Sequence, residues 1–330
     1  AYFLHTKKKG GDNLLSGQTY SDLGVEELFT FADRTTSGIG QQYLYHTLRT
    51  IPLAKGEIGK NEDVINHLKT DANFRGRLAK ALFRLRDTEV YSIVRLMADE
   101  HPVASEKTKI AFTILKFLPA LFLLLYLFAH ITACGMLFLV AIILNAVIHY
   151  AFKPKSLDYI HSVPQLIKLL GIAEELCKYP ELGKLTKEIP DALATLRPIR
   201  KTALFLRMES KLQSDMAVFV WFCTELAHIF FLTEPLSFLQ SVSILRNKNR
   251  EIETVYRFVG LADCLLSVYY LREELPYYCL PEKADNGYRL EGEEIYHPLI
   301  EDCVSNSVII KEKSVPVSYT HLRAHETSAH

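Results

Sequence analysis

Glu225 and His228 stand three residues apart inside an apolar stretch, so a helix places both on one face. A carboxylate beside an imidazole is a possible metal-ligand pair, and a satisfied polar pair in a core helix is the simpler reading of the same spacing. His321, His325 and His330 crowd the last ten residues, but that stretch has no hydrophobic period, so no metal site is assigned there. Phosphate chemistry would need a glycine-rich cradle, a lysine and a magnesium-binding hydroxyl, as in GxxxxGK[ST]. The nearest approaches are Gly56-Glu57-Ile58-Gly59-Lys60-Asn61 and Gly183-Lys184-Leu185, and both lack the spacing and the hydroxyl. His46, His67 and His161 have no evident partners, and no Ser-His-Asp or Cys-His arrangement can be assembled.

Composition bounds the alternatives. The chain has 330 residues and a net charge of zero, so bulk electrostatics give no strong pull toward nucleic acid. Lys and Arg do gather locally in Arg75–Arg95 and Arg197–Arg207. Six dispersed cysteines with no CxxC pair argue against zinc or a disulfide framework and for a reducing compartment. No secretory signal stands at the N-terminus, and Ala1 in place of Met suggests an incomplete start.

The elements that would position any site are mostly helical. Leu44, Leu48 and Ile51 keep a helical period, as do Phe74, Leu78, Leu82 and Leu85. Leu166, Leu169, Leu170, Ala173 and Leu176 mark a further helix, with Pro164 suited to its first turn. Val255, Phe258, Val259, Ala262, Leu266 and Tyr269 line a long helix that ends before Pro276. Breaks are expected at Pro52, Pro102, Pro154, Pro180–Gly183, Pro190 and Pro276–Pro281. Tyr288–Leu290 and Val308–Ile310 read as short strands.

Phe117 to Ile148 contains no Asp, Glu, Lys or Arg. One helix of that length would run roughly 48 Å at about 1.5 Å per residue, too long for a hydrocarbon core of about 30 Å. Two helices, Ile110–Phe128 and Gly135–Phe152, fit better, joined by a turn at Ala129–Cys134 that leaves His130 wet. Lys107, Lys109 and Lys116 before the pair, and Lys153 and Lys155 after it, put both ends on the cytoplasmic side. A buried hairpin of a soluble core is the competing reading, disfavoured because soluble helices rarely stay apolar on every face. The second apolar run, Met216–Leu232, is interrupted by Glu225 and His228 and reads as a core helix.

Two segments carry a family pattern. The first is Asp33-Arg34-Thr35-Thr36, Gly40, Leu44, Leu48 and Pro52-Leu53, followed by Ile58, Val64, Leu68, Arg75 and Leu82. Read physically, it is a hydroxyl-rich helix entry capped by Asp33 or Thr36, a small residue for close approach, and a leucine stripe ended by proline. The second is Ala262-Asp263, Ser267, Tyr277, Pro281, Leu290 and His297-Pro298-Leu299-Ile300-Glu301, with Val304-Ser305-Asn306 beyond. Together they resemble the start and end of the core domain of the MutS family of DNA mismatch-repair proteins, spanning roughly Leu28 to Val315. The apolar hairpin, and the absence of mismatch-reading, connector and clamp domains, are similar to a membrane-associated MutS-related branch. One departure is Lys60-Asn61-Glu62-Asp63, where the family carries an arginine.

The resemblance implies a mainly α fold: a MutS-core-like bundle of long helices interrupted by a transmembrane hairpin, with the first strands of a truncated α/β ATPase domain. The expected divisions are an N-terminal segment (1–27), core (28–109), hairpin (110–152), lever helices (153–283), ATPase entry (284–316) and a tail (317–330). Ser318–Thr327 reads like translated sequencing adapter and is set aside. The resemblance further implies ATP and magnesium in the intact protein, with Cys303, Val304 and Asn306 on the adenine side and His297 and Pro298 structural. No cofactor is expected on this chain alone, which lacks a phosphate loop. Implied partners are a lipid bilayer of the inner membrane and a second copy through the ATPase domain, with DNA as a further candidate. A non-catalytic helical membrane scaffold is the alternative.

Overall fold

The computed structural model describes residues 1–9, 14–51, 57–97, 105–199, 218–282, 289–300 and 302–311. Pro52, and with it the Pro-Leu end of the first motif, lies outside them, as does the segment after Lys311. Short helices α1 (Tyr2–Lys9), α2 (Gly17–Asp22) and α3 (Val25–Ala32) precede α4 (Gly38–Leu48), α5 (Glu57–Thr70) and α6 (Ala72–Phe83). A 3-10 segment covers Thr88–Met97, and then come α7 (Glu106–Leu115), α8 (Leu118–Ala129) and α9 (Thr132–Leu176). After α10 (Pro180–Gly183) and α11 (Ile189–Leu196) follow α12 (Val218–Phe231), α13 (Thr233–Leu245) and α14 (Asn249–Glu274). Strands β1 (Arg289–Ile295) and β2 (Asn306–Lys311) close the described chain. Two compact units result, Ala1–Glu274 and Leu275–His330.

The core of the first unit forms where these helices turn their apolar stripes inward. Phe74, Leu78 and Leu82 of α6, Leu166 and Leu169 of α9 and Val255, Val259 and Leu266 of α14 are all buried in one cluster. The periods over 74–85 and 255–269 are the ones visible in sequence, because a helical stripe facing a core has to be apolar. Ile51 breaks the first stripe: α4 stops at Leu48 and Ile51 is exposed.

The apolar hairpin is formed, and it is not buried. Glu106–Ala129 and Thr132–Lys153 are each long and apolar enough to cross a membrane, and only 11% and 22% of their most apolar windows are covered by protein. Leu121, Leu124, Leu127, Leu139, Val140, Ile143 and Val147 all point outward. A soluble-core hairpin would have to hide these side chains, and the described residues of this chain do not cover them. The first span is broken near Lys116 and Phe117, ahead of Pro119 at the start of α8. The turn is tighter than the sequence suggested, just His130 and Ile131, with exposed His130 in the left-handed region at φ 53°.

Two proline readings are overturned. Pro154 does not end a helix and Pro164 does not start one, since both lie inside α9, which runs unbroken over 45 residues. A mid-helix proline removes one backbone hydrogen bond at a cost of about 3 kcal/mol, which packing along the helix can offset. Val163, Leu166, Leu169, Leu170, Ala173 and Leu176 at its far end are buried. One helix, roughly 68 Å long, is therefore apolar and exposed at its start and part of the core at its end. The apolar run over 218–231 is likewise no buried core helix, because Phe222, Leu226 and Phe231 of α12 are about half exposed. It joins α13 at a 62° bend, a pair apolar enough to count as one broken span.

In the second unit β1 and β2 pair antiparallel, with Leu290 opposite Ile310 and Gly292 opposite Val308. The register is interrupted between Gly292 and Ile295, where Glu294 takes φ 49°.

Candidate functional site

The two motif segments, more than two hundred residues apart, meet in one buried hydrogen-bonded knot. Asp263 on α14 is fully buried and accepts from the backbone N–H of Thr36 (2.9 Å), the N–H of Ser37 (2.7 Å) and the Ser37 hydroxyl (2.5 Å). Four residues on, the Ser267 hydroxyl accepts from the Arg34 N–H at 2.9 Å and donates to the Ala32 carbonyl at 3.2 Å. Arg34 then reaches the end of the same helix, placing Nε and Nη2 2.9 and 2.7 Å from Glu274 Oε2. These bonds take up the N–H groups at the entry to α4, which have no partner within the helix. Burial pushes the Asp263 carboxyl up to about 6 although three donors point into it, because no cation accompanies them and Asp33 adds a like charge.

Gly40 makes the close approach possible. A Cβ added there would lie 2.1 Å from Asp263 Oδ2 and 2.6 Å from Asp263 Cβ. Gly260 on the facing helix plays the same part, since a Cβ there would meet Tyr43 Cβ at 2.7 Å. Small residues on both sides bring the two backbones together, and the Gly40 carbonyl receives a contact from the buried Cys264 thiol at 3.6 Å.

The cap of α4 was misread in the sequence. It is Ser37, whose Oγ accepts from the Gly40 N–H at 3.0 Å, and not Asp33 or Thr36. Asp33 instead accepts from the N–H and hydroxyl of Thr35 and from Gln41 Nε2 at 2.8 Å. Glu62, in the stretch that departs from the family pattern, grips Arg272 of α14 with two bonds of 2.7 Å. That guanidinium holds the Glu62 carboxyl below its ordinary range.

The residues assigned to the adenine side share one turn in the second unit. The His297 N–H donates to Cys303 Sγ at 3.3 Å, and His297 Nδ1 accepts from the Leu299 N–H at 3.3 Å. Asn306 Nδ2 donates to the Val304 carbonyl at 3.1 Å, and Val304 itself is 78% exposed. Pro298 lies between the two, in the turn that precedes β2. Of the near-miss phosphate motifs, Gly59 and Lys60 lie within α5, while Gly183 ends the short α10 and Lys184 and Leu185 form the turn after it; Gly56 lies outside the described residues.

Two histidines thought solitary have neighbours. His46 is buried with Nδ1 3.2 Å from the Thr6 hydroxyl and its ring edge-on to Tyr2, and His67 lies 3.6 Å from Glu181. The His161 side chain falls outside the described atoms. Glu225 and His228 do not pair with each other. Glu225 Oε1 lies 3.2 Å from His149 Nε2 and 2.5 Å from Lys153 Nζ, both on α9. His228 Nδ1 meets Glu234 Oε1 at 3.2 Å, and Glu234 Oε2 lies 3.7 Å from His149 Nε2. Sequence reasoning missed His149, Lys153 and Glu234. The available signal was a histidine near the end of a charge-free apolar helix, where a polar side chain needs a partner. Comparison with family models, with curated proteins and with solved structures returned no match to this chain.

Proposed function

We propose that the chain is the membrane-anchored helical core of a MutS-related ATPase, leading at its second unit into the ATPase domain. The observation that carries this reading is the buried knot joining Asp33–Gly40 to Asp263–Ser267, the two segments on which the family resemblance rests. The continuity of α9 supports the anchoring half of the proposal. A helix that leaves a membrane and enters the core without a break in its helical assignment connects displacement in one to the other. In the intact protein, ATP and magnesium held at a dimer interface would move the core helices, and the hairpin would restrain that motion at the cytoplasmic face of an inner membrane. Lys107, Lys109 and Lys153 at the shared open end of the hairpin favour that face. Cys303, Val304 and Asn306 would lie beside the adenine, and any DNA contact would belong to the assembled protein.

The test is to read the gene beyond Val315 and to assay the extended product in lipid. A GxxxxGK[ST] loop shortly downstream, with ATP turnover abolished when its lysine is replaced, is the expected result. A natural stop codon close to Val315 would sink the ATPase reading and leave a helical membrane scaffold.

A further inference from the structure

We infer that His149, Glu225 and Glu234 form a binding site for one divalent first-row transition ion, with a ligand set suited to zinc. Two carboxylates and an imidazole from three helices converge there, and their ligand atoms all lie within 4.8 Å of one another. His149 Nε2 stands 3.2 Å from Glu225 Oε1 and 3.7 Å from Glu234 Oε2. A tetrahedral site with bonds of about 2.1 Å has ligand–ligand edges of about 3.4 Å, so the two distances to His149 need little adjustment, and the carboxylates, within 4.8 Å of each other, have to close by at most about 1.4 Å.

The group is also chemically incomplete as it stands. Glu234 is only 4% exposed, yet its Oε2 has no hydrogen-bond partner and faces the imidazole. His149 is completely buried, and its Nδ1 has no partner either. Leaving a buried carboxylate oxygen unsatisfied is costly, and an ion between the two carboxylates would satisfy it. His228 already holds the other oxygen of Glu234, as a residue orienting a metal ligand does.

The backbone argues in the same direction. Glu225 lies on α12 and Glu234 on α13, and the two helices meet at a 62° bend with Leu232 left-handed at φ 49°. Such a break in an apolar helix pair is strained and is tolerated where it serves a polar site. Here it folds Glu234 back toward α9, while Asn145 Nδ2 ties the Phe230 carbonyl to the same helix at 3.1 Å. Imidazole with carboxylates suits a borderline ion such as Zn²⁺ better than Mg²⁺, which prefers six oxygens. Lys153 Nζ is the internal competitor, placing its charge on Glu225 Oε1. Its side chain is 30% exposed, so it can swing toward solvent when an ion enters.

The experiment uses the full chain, chelator-treated in detergent micelles, titrated with Zn²⁺ by calorimetry and with Co²⁺ by visible absorption. One equivalent is expected to bind, and Co²⁺ should show the intense bands of a tetrahedral site. Glu234→Gln and His149→Gln should each weaken binding at least about tenfold, whereas Lys153→Met should tighten it, a gain that misfolding cannot produce. A chain with His321, His325 and His330 changed to alanine should bind as the parent does. No stoichiometric binding, binding unchanged in Glu234→Gln, or no tightening in Lys153→Met would each overturn the inference.

Discussion

Replacing Gly40 with alanine should be among the most damaging single-methyl additions in this protein. The new Cβ would lie 2.1 Å from Asp263 Oδ2, 2.5 Å from its Cγ and 2.6 Å from its Cβ. Turning the carboxylate aside cannot relieve the last contact, because the Asp263 Cβ moves only with its backbone. Carbon atoms pack at about 3.5–4.0 Å, so α4 must retreat from α14 by about 1 Å, and a gap of that size forfeits a quarter to a half of each dispersion contact it opens. The same retreat stretches the bonds of 2.9, 2.7 and 2.5 Å that enter Asp263. Hydrogen bonds to a charged group contribute about 1.5–3 kcal/mol each, so losing all three sets a ceiling of about 9 kcal/mol. Partial relaxation should bring the loss to about 3–5 kcal/mol, and the helix preference of alanine returns at most about 1 kcal/mol. Unfolding of the detergent-solubilised protein followed by intrinsic fluorescence and circular dichroism measures this directly. Gly76→Ala is the internal control, since the added Cβ meets nothing within 4 Å on the exposed face of α6, and it should stabilise by about 0.5–1 kcal/mol. A Gly40→Ala protein as stable as the parent would refute the close-packed knot.

Asp263 also makes stability depend on pH. Its carboxyl is raised from the ordinary 3.8 to about 6, so its favourable contribution is complete below about 4 and is lost as pH rises through about 6, a change of about 3 kcal/mol. Asp263→Asn abolishes that titration, so its destabilisation relative to the parent should be larger at pH 4 than at pH 7; equal penalties at both would contradict the assignment. Glu62→Gln leaves the half-buried Arg272 guanidinium without its doubly bonded partner, and unfolding measurements should show a loss of about 1–2 kcal/mol, reduced by high salt. Val140→Arg sets a charge on the outward face of the second span, where insertion costs about 2.5–3.5 kcal/mol. The variant should shift toward the carbonate-extractable fraction, whereas the parent stays in the membrane pellet; an extractable parent would remove the hairpin from the bilayer.

Several features were legible because their causes are local. A run of 32 residues from Phe117 to Ile148 without a charged side chain has only lipid or a very large core as its environment, and two helices of about membrane length follow from its size. The stripes of α6 and α14 were equally readable, since an apolar period of 3.6 records which face is turned inward. Local rules failed where a competing term acted from outside the segment. Pro154 and Pro164 were expected to bound helices, yet both lie inside α9, whose far end is held by a packed core. Thr36 was an acceptable cap by type, but its N–H is committed to Asp263, and Ser37 one residue later took the role.

By itself, then, the sequence determined the helical class, the charge-free hairpin and the places where the chain turns into short strands, because hydropathy and period act over a few turns of helix. The tertiary structure decided which polar groups meet. Asp263 and Ser37 stand 226 residues apart, and His149 and Glu225 stand 76 apart. No local propensity encodes such pairings; they exist because glycines at 40 and 260 let two helices approach, and because the bend at Leu232 turns a glutamate back toward α9. A buried charge must find its partners wherever the fold brings them, and only the folded chain says where that is.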